Sequence, residues 1–101
     1  MKCTYDEIKK KIKIKLDEDI DMNSCRSLRT IVDGYIMRYS PLECEMDLSE
    51  VKFMDSSGLG FIMGRYNLAK MLGCSLIVTN PDKNIKKLLQ MYETGKKIKV
   101  M

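Results

Sequence analysis

The chain has 101 residues, 45% apolar and 32% charged, with the charges spread along its length, which fits one soluble globular domain and excludes two. No run reaches the ~20 apolar residues of a membrane span and residues 1–5 carry no signal-peptide block, so the expected compartment is the cytoplasm. Histidine is absent, which excludes Ser-His-Asp and Cys-His nucleophile systems; with no CxxC pair either, no zinc site and no other cofactor is expected.

The net charge of +4 invites a nucleic-acid reading, but the first element argues against it. Over residues 8–16, Lys9, Lys11, Lys13 and Lys15 alternate with Ile8, Ile12, Ile14 and Leu16. That period of two describes a strand with a core face and a solvated lysine face, and no aromatic interleaving accompanies it. Direct nucleic-acid binding is not expected. Cys3, Cys25, Cys44 and Cys74 are widely spaced and read as free thiols.

An acidic turn, Asp17-Glu18-Asp19-Ile20-Asp21, follows. Asn23 or Ser24 can cap a helix with Cys25, Leu28, Ile31, Val32, Tyr35 and Ile36 at helical spacing, ending near Tyr39 before Pro41. A second strand spans 43–48, with Cys44, Met46 and Leu48 on one face. A short connection over 49–54 leads to a helix over 57–72, apolar on one side through Leu59, Ile62, Met63, Tyr66 and Ala69 and on the other through Phe61, Leu68 and Leu72. Such a helix either packs against sheet and helices together or keeps apolar surface for a partner. Gly73 suits its end. A buried strand over 74–79 follows, then a turn at Pro81. Asp82 or Asn84 leads a helix with Ile85, Leu88, Leu89 and Tyr92 on its apolar face, closed by Gly95. Ile98 and Val100 alternate with Lys97 and Lys99 in a last strand. The expected fold is α/β, a mixed and mainly parallel sheet with helices on one face.

The run Asp47-Leu48-Ser49-Glu50-Val51-Lys52-Phe53-Met54-Asp55-Ser56-Ser57-Gly58-Leu59-Gly60, continued by Gly64-Arg65-Tyr66, resembles the central signature of the STAS domain. Within that family it is most similar to the anti-sigma factor antagonists of Gram-positive sporulation. The resemblance implies a single STAS domain over 1–101 that is a binding module and not an enzyme. Its implied partners are an anti-sigma factor that is also a serine kinase, and a serine phosphatase. It implies phosphorylation at the second serine, Ser57, and a partner surface of Asp21, Asn23, Asp55, Ser56, Ser57, Gly58, Leu59, Gly60 and Phe61. Ser57 is expected to direct its hydroxyl outward, while Ser56 turns inward to hydrogen-bond backbone. Two departures stand out. Glu18 occupies the place of a glycine in the family's acidic turn, and the chain stops at Met101, where the sporulation proteins usually carry a further C-terminal helix.

Two other readings stay open. One is a STAS scaffold subunit of a larger signalling or transport assembly, which partner choice would distinguish. The other is an enzyme using the Gly58-Leu59-Gly60 turn, for which neither GxxxxGK[ST] nor GxGxxG is present. In an arbitrary protein Asp55-Ser56-Ser57 would be a plain helix cap.

Overall fold

Residues 8–16 do not form one strand. In the structure, a computed structural model describing residues 1–91 and 97–101, β1 (Lys2–Asp6) and β2 (Lys11–Lys15) form an antiparallel hairpin. The alternation breaks at Lys10, which falls on the apolar phase and takes a left-handed φ of 52°. Asp6 holds the turn: its carboxylate accepts the N–H of Ile8 at 3.0 Å and of Lys9 at 3.1 Å. Ile8 lies fully in solvent, and the first strand comes from a segment with no expected element.

The remaining elements are α1 (Cys25–Tyr39), β3 (Glu43–Asp47), α2 (Ser56–Met71), β4 (Ser75–Thr79), α3 (Lys83–Met91) and β5 (Lys99–Val100). The sheet order is β1-β2-β3-β4-β5, and every pairing after the first is parallel. This is the mixed α/β class expected. Ile12, Ile14, Cys44, Met46, Leu76 and Val78 from one sheet face share a core with Leu28, Val32 and Ile36 of α1, Leu59 and Ile62 of α2, and Ile85 and Leu89 of α3. All three helices therefore cover the same face. Gly73, at φ 72°, follows the end of α2, and Asp82 caps α3 by accepting the Ile85 N–H at 2.8 Å. Tyr92 and Gly95 lie outside the described residues.

The other face of the sheet is not simply solvated lysine. Lys11 sits 3.3 Å from Glu43 and 3.0 Å from Glu45, Lys13 reaches Glu45 and Asp47, and Lys15 reaches Glu50. The parallel register sets each lysine opposite a carboxylate, Lys11↔Glu43, Lys13↔Glu45 and Lys15↔Asp47. Thr79 donates to Glu45 at 2.8 Å, Asn80 donates to Asp47 at 3.3 Å, and the Ser49 N–H donates to Asp47 at 2.9 Å. Burial pushes both carboxyl pKa values up, but the lysines and these donors together hold them below their ordinary values. Among the described residues no helix is long and apolar enough to cross a membrane.

Candidate functional site

The acidic turn and the serine pair are far apart in the chain and meet through one contact. Ile20 and Met54 form a single parallel bridge beyond the strand ends. The Ile20 N–H donates to the Phe53 carbonyl at 3.0 Å, and the Asp55 N–H donates to the Ile20 carbonyl at 3.3 Å. Asp55 is the N-cap of α2, its Oδ1 accepting the N–H of Ser57 at 2.8 Å and of Gly58 at 3.3 Å. Its other oxygen accepts the Met22 N–H at 3.3 Å, so one carboxylate ties the acidic turn to the helix start. Asp21 holds its own turn by accepting the N–H groups of Asn23 and Ser24 at 2.9 and 3.0 Å. Ser24 heads α1, but its hydroxyl donates to Asp19 rather than capping the helix.

Gly58 makes this junction possible. A Cβ there would collide with Met54 Cγ and stand 2.8 Å from the Ile20 carbonyl, so only glycine lets the helix start approach the bridge this closely. At Gly60 an added Cβ would meet nothing within 4 Å.

The nine residues suggested for a partner surface divide into two groups. Asp21, Asn23, Asp55, Ser56, Ser57 and Gly60 are exposed or half-buried around the bridge. Gly58, Leu59 and Phe61 are buried and belong to the core side of α2, so none of the three offers its side chain as free surface. The apolar faces of α2 are used for packing against sheet and neighbouring helix together; Leu72 alone of those positions is exposed. The relative exposure of the two serines is the reverse of the expectation. Ser56 is exposed, its hydroxyl without a hydrogen bond among the described residues, and Ser57 is the half-buried one. Ser56 is the first residue of α2 and is not among its buried positions.

Ser57 lines a groove of about 630 Å³ between α1 and α2, with Met22, Arg26 and Arg29 on one wall and Gly60, Gly64 and Met71 on the other. Two contacts fix how the helices lie together. Cys25 Sγ donates to the Ser57 carbonyl at 3.4 Å, and Arg65 Nε lies 2.5 Å from Asp33 Oδ1. Both pairs are 32 residues apart, so α1 and α2 run parallel in constant register. Arg65 is buried, donates to the Phe61 carbonyl at 3.2 Å and lies over the Phe61 ring. Its pKa is pulled down by burial, while the charge of Asp33 opposes that shift and makes the contact a buried ion pair.

Sequence reasoning did not select Met22, Arg26, Arg29, Asp33 or Phe53. Phe53 and Met22 are exposed apolar side chains beside the bridge, at 52% and 77%. The i, i+3, i+7 spacing of Arg26, Arg29 and Asp33 was a readable sign that these three share one helix face.

The family model described as Mlab, STAS domain matches residues 3–100. The chain belongs to the STAS domain family. It is 32% identical over 78 residues to an anti-sigma F factor antagonist of Paenibacillus polymyxa, covering 77% of this chain and 67% of that protein. It is 26% identical over 82 residues to the Lysinibacillus sphaericus anti-sigma F factor antagonist, covering 81% and 70%. Among solved structures, one from Thermotoga maritima superposes with a TM-score of 0.86 at 14% identity, over 98% of this chain and 83% of that one. The anti-sigma factor antagonist SpoIIAA in its unphosphorylated form gives 0.73 at 20% identity, over 99% and 86%. These two likenesses establish the STAS fold.

Proposed function

We propose that this protein is an anti-sigma factor antagonist of the cytoplasm. Unphosphorylated, it docks on an anti-sigma factor that is also a serine kinase, and a sigma factor is released. Transfer of the γ-phosphoryl of ATP to Ser57 Oγ then drives it off, and a serine phosphatase restores it. The observation that carries this reading is the Ile20–Met54 bridge, which joins the Asp21 turn and the serine pair in one surface. The relatives named as anti-sigma F factor antagonists supply the partner class.

The physics supports a switch at this place. A phosphate adds about −1.5 to −2 charges at one atom. Here it would join the carboxylates of Asp55 and Asp21 on a surface shaped to receive a neutral hydroxyl, so a closely packed partner meets unmatched charge. Asp55 already occupies the N–H groups of Ser57 and Gly58, so those two donors are not free to absorb that charge.

The test is incubation with the cognate kinase and ATP followed by mass spectrometry. Phosphate is expected on Ser57. Modification of Ser56 with Ser57 untouched, or of neither serine by an active kinase, would overturn the mechanism. Ser57→Ala should keep partner binding and resist inactivation. Ser57→Asp should bind at least tenfold more weakly, about 1.4 kcal/mol.

A further inference from the structure

We propose that the groove between α1 and α2 is a phosphate-binding site which receives, within the same molecule, the phosphate carried by Ser57; this rests on the Ser57 reading above and deepens it. The constant offset of 32 residues places Arg26 level with Gly58, beside Ser57, and Arg29 level with Phe61. Both arginines line the groove that Ser57 lines. Arg26 is exposed and has no ion-pair partner among the described residues. Arg29 is 70% exposed and reaches Asp33 only at 3.8 Å. Asp33 is already committed to Arg65 at 2.5 Å. Three arginines against one aspartate leave two cations uncompensated in the groove wall.

The opposite wall provides room. Gly60 and Gly64 carry no side chain, and a Cβ at either would meet nothing within 4 Å. Asp55 takes the N–H groups of Ser57 and Gly58, so a phosphate on Ser57 finds its strongest donors across the groove, at the arginines. The guanidinium fork matches phosphate oxygens two at a time. Opposing this are the carboxylates of Asp55 and Asp21 at the mouth; the Cys25 thiol, raised by burial, stays neutral. The phosphorylated protein is thus latched: its phosphate ties α2 to α1 and fills the groove beside the docking surface.

The latch is tested without any kinase, by installing phosphoserine at position 57 during translation and titrating it by phosphorus NMR. The protein is compared with Arg26→Gln/Arg29→Gln, and with Arg38→Gln as a control that removes one exposed charge from the far end of α1. The second phosphate pKa, ordinarily about 6, should rise by about one unit in the double variant relative to the parent arginine form, tenfold in proton affinity. The control should not move. A rise in the double variant of less than ~0.5 unit, or one no larger than the control's, overturns the latch. In the unmodified protein, inorganic phosphate that moved the Arg26 Nε–H resonance as far as the installed phosphoserine does would assign the groove to a free anion and also overturn it. Kinase labelling fails or succeeds separately, so loss of the Ser57 reading and loss of the latch are distinguishable.

Discussion

Gly58 and Gly60 lie two residues apart on one helix, and alanine at each should move stability in opposite directions. At Gly58 the backbone conformation tolerates alanine and the space does not: the new Cβ would collide with Met54 Cγ and stand 2.8 Å from the Ile20 carbonyl. The Met54 side chain can turn, but the Ile20 carbonyl accepts the Asp55 N–H and cannot retreat without opening the bridge. Overpacking of this kind costs about 1–3 kcal/mol, and the better helix propensity of alanine returns up to ~1 kcal/mol. The net loss of up to about 2 kcal/mol corresponds to a Tm fall of up to roughly 15 °C for a domain of this size. Gly60→Ala meets no neighbour and should instead raise Tm by about 4–8 °C, the yield of up to ~1 kcal/mol. Thermal unfolding by circular dichroism reads both. Gly58→Ala melting at or above the wild-type temperature would refute the close-approach argument. With Met54→Ala added, part of the loss should return and part remain, because the carbonyl contact persists.

Arg65→Met should destabilise by about 3 kcal/mol in urea, since it strands Asp33 beside a buried site; Asp33→Leu/Arg65→Met should cost less than Arg65→Met alone, and a double variant costing the sum of the singles would show the pair to be uncoupled. Glu45 and Asp47 have folded pKa values below their ordinary 4.5 and 3.8, so the folded state binds fewer protons than the unfolded one. Their stabilisation is therefore complete above about pH 5 and lost as pH falls through the folded values, and Glu45→Gln should flatten that acid limb in chemical denaturation. Asp21→Lys and Gly60→Trp should each weaken binding to the cognate kinase at least tenfold without unfolding the domain; calorimetry showing both binding like wild type would remove the docking surface from this place.

Most of the architecture was legible because its signals are local. Pro41 stops α1, Gly73 ends α2, and the alternation of Cys44, Met46 and Leu48 marks β3. The only local sign of the N-terminal hairpin is Lys10, whose place on the apolar phase denies a continuous strand through Ile8. The charged sheet face was half legible: the lysines were read, but that Glu45 and Asp47 lie buried among them depends on parallel register, which no local pattern encodes. At the site, the motif located the serines and the acidic turn. It could not show that Asp55 takes the N–H groups of Ser57 and Gly58, that Phe61 is buried, or that Ser56 is the more exposed serine. Those follow from how α2 rolls onto α1, fixed by the Asp33–Arg65 pair and by the space under Gly58.

The shared register of α1 and α2 limits where this chain can change length. An α-helix turns about 100° per residue, so one inserted residue between Arg26 and Asp33 would rotate one end of α1 off its contact. The helix could then keep Cys25 against Ser57 or Asp33 against Arg65, but not both. Insertions in the connections at 40–42 or 48–53 leave both contacts intact at the modest cost of a longer loop. Length variation among relatives that retain the groove should therefore collect in those connections, with the eight residues from Arg26 to Asp33 held to a fixed count.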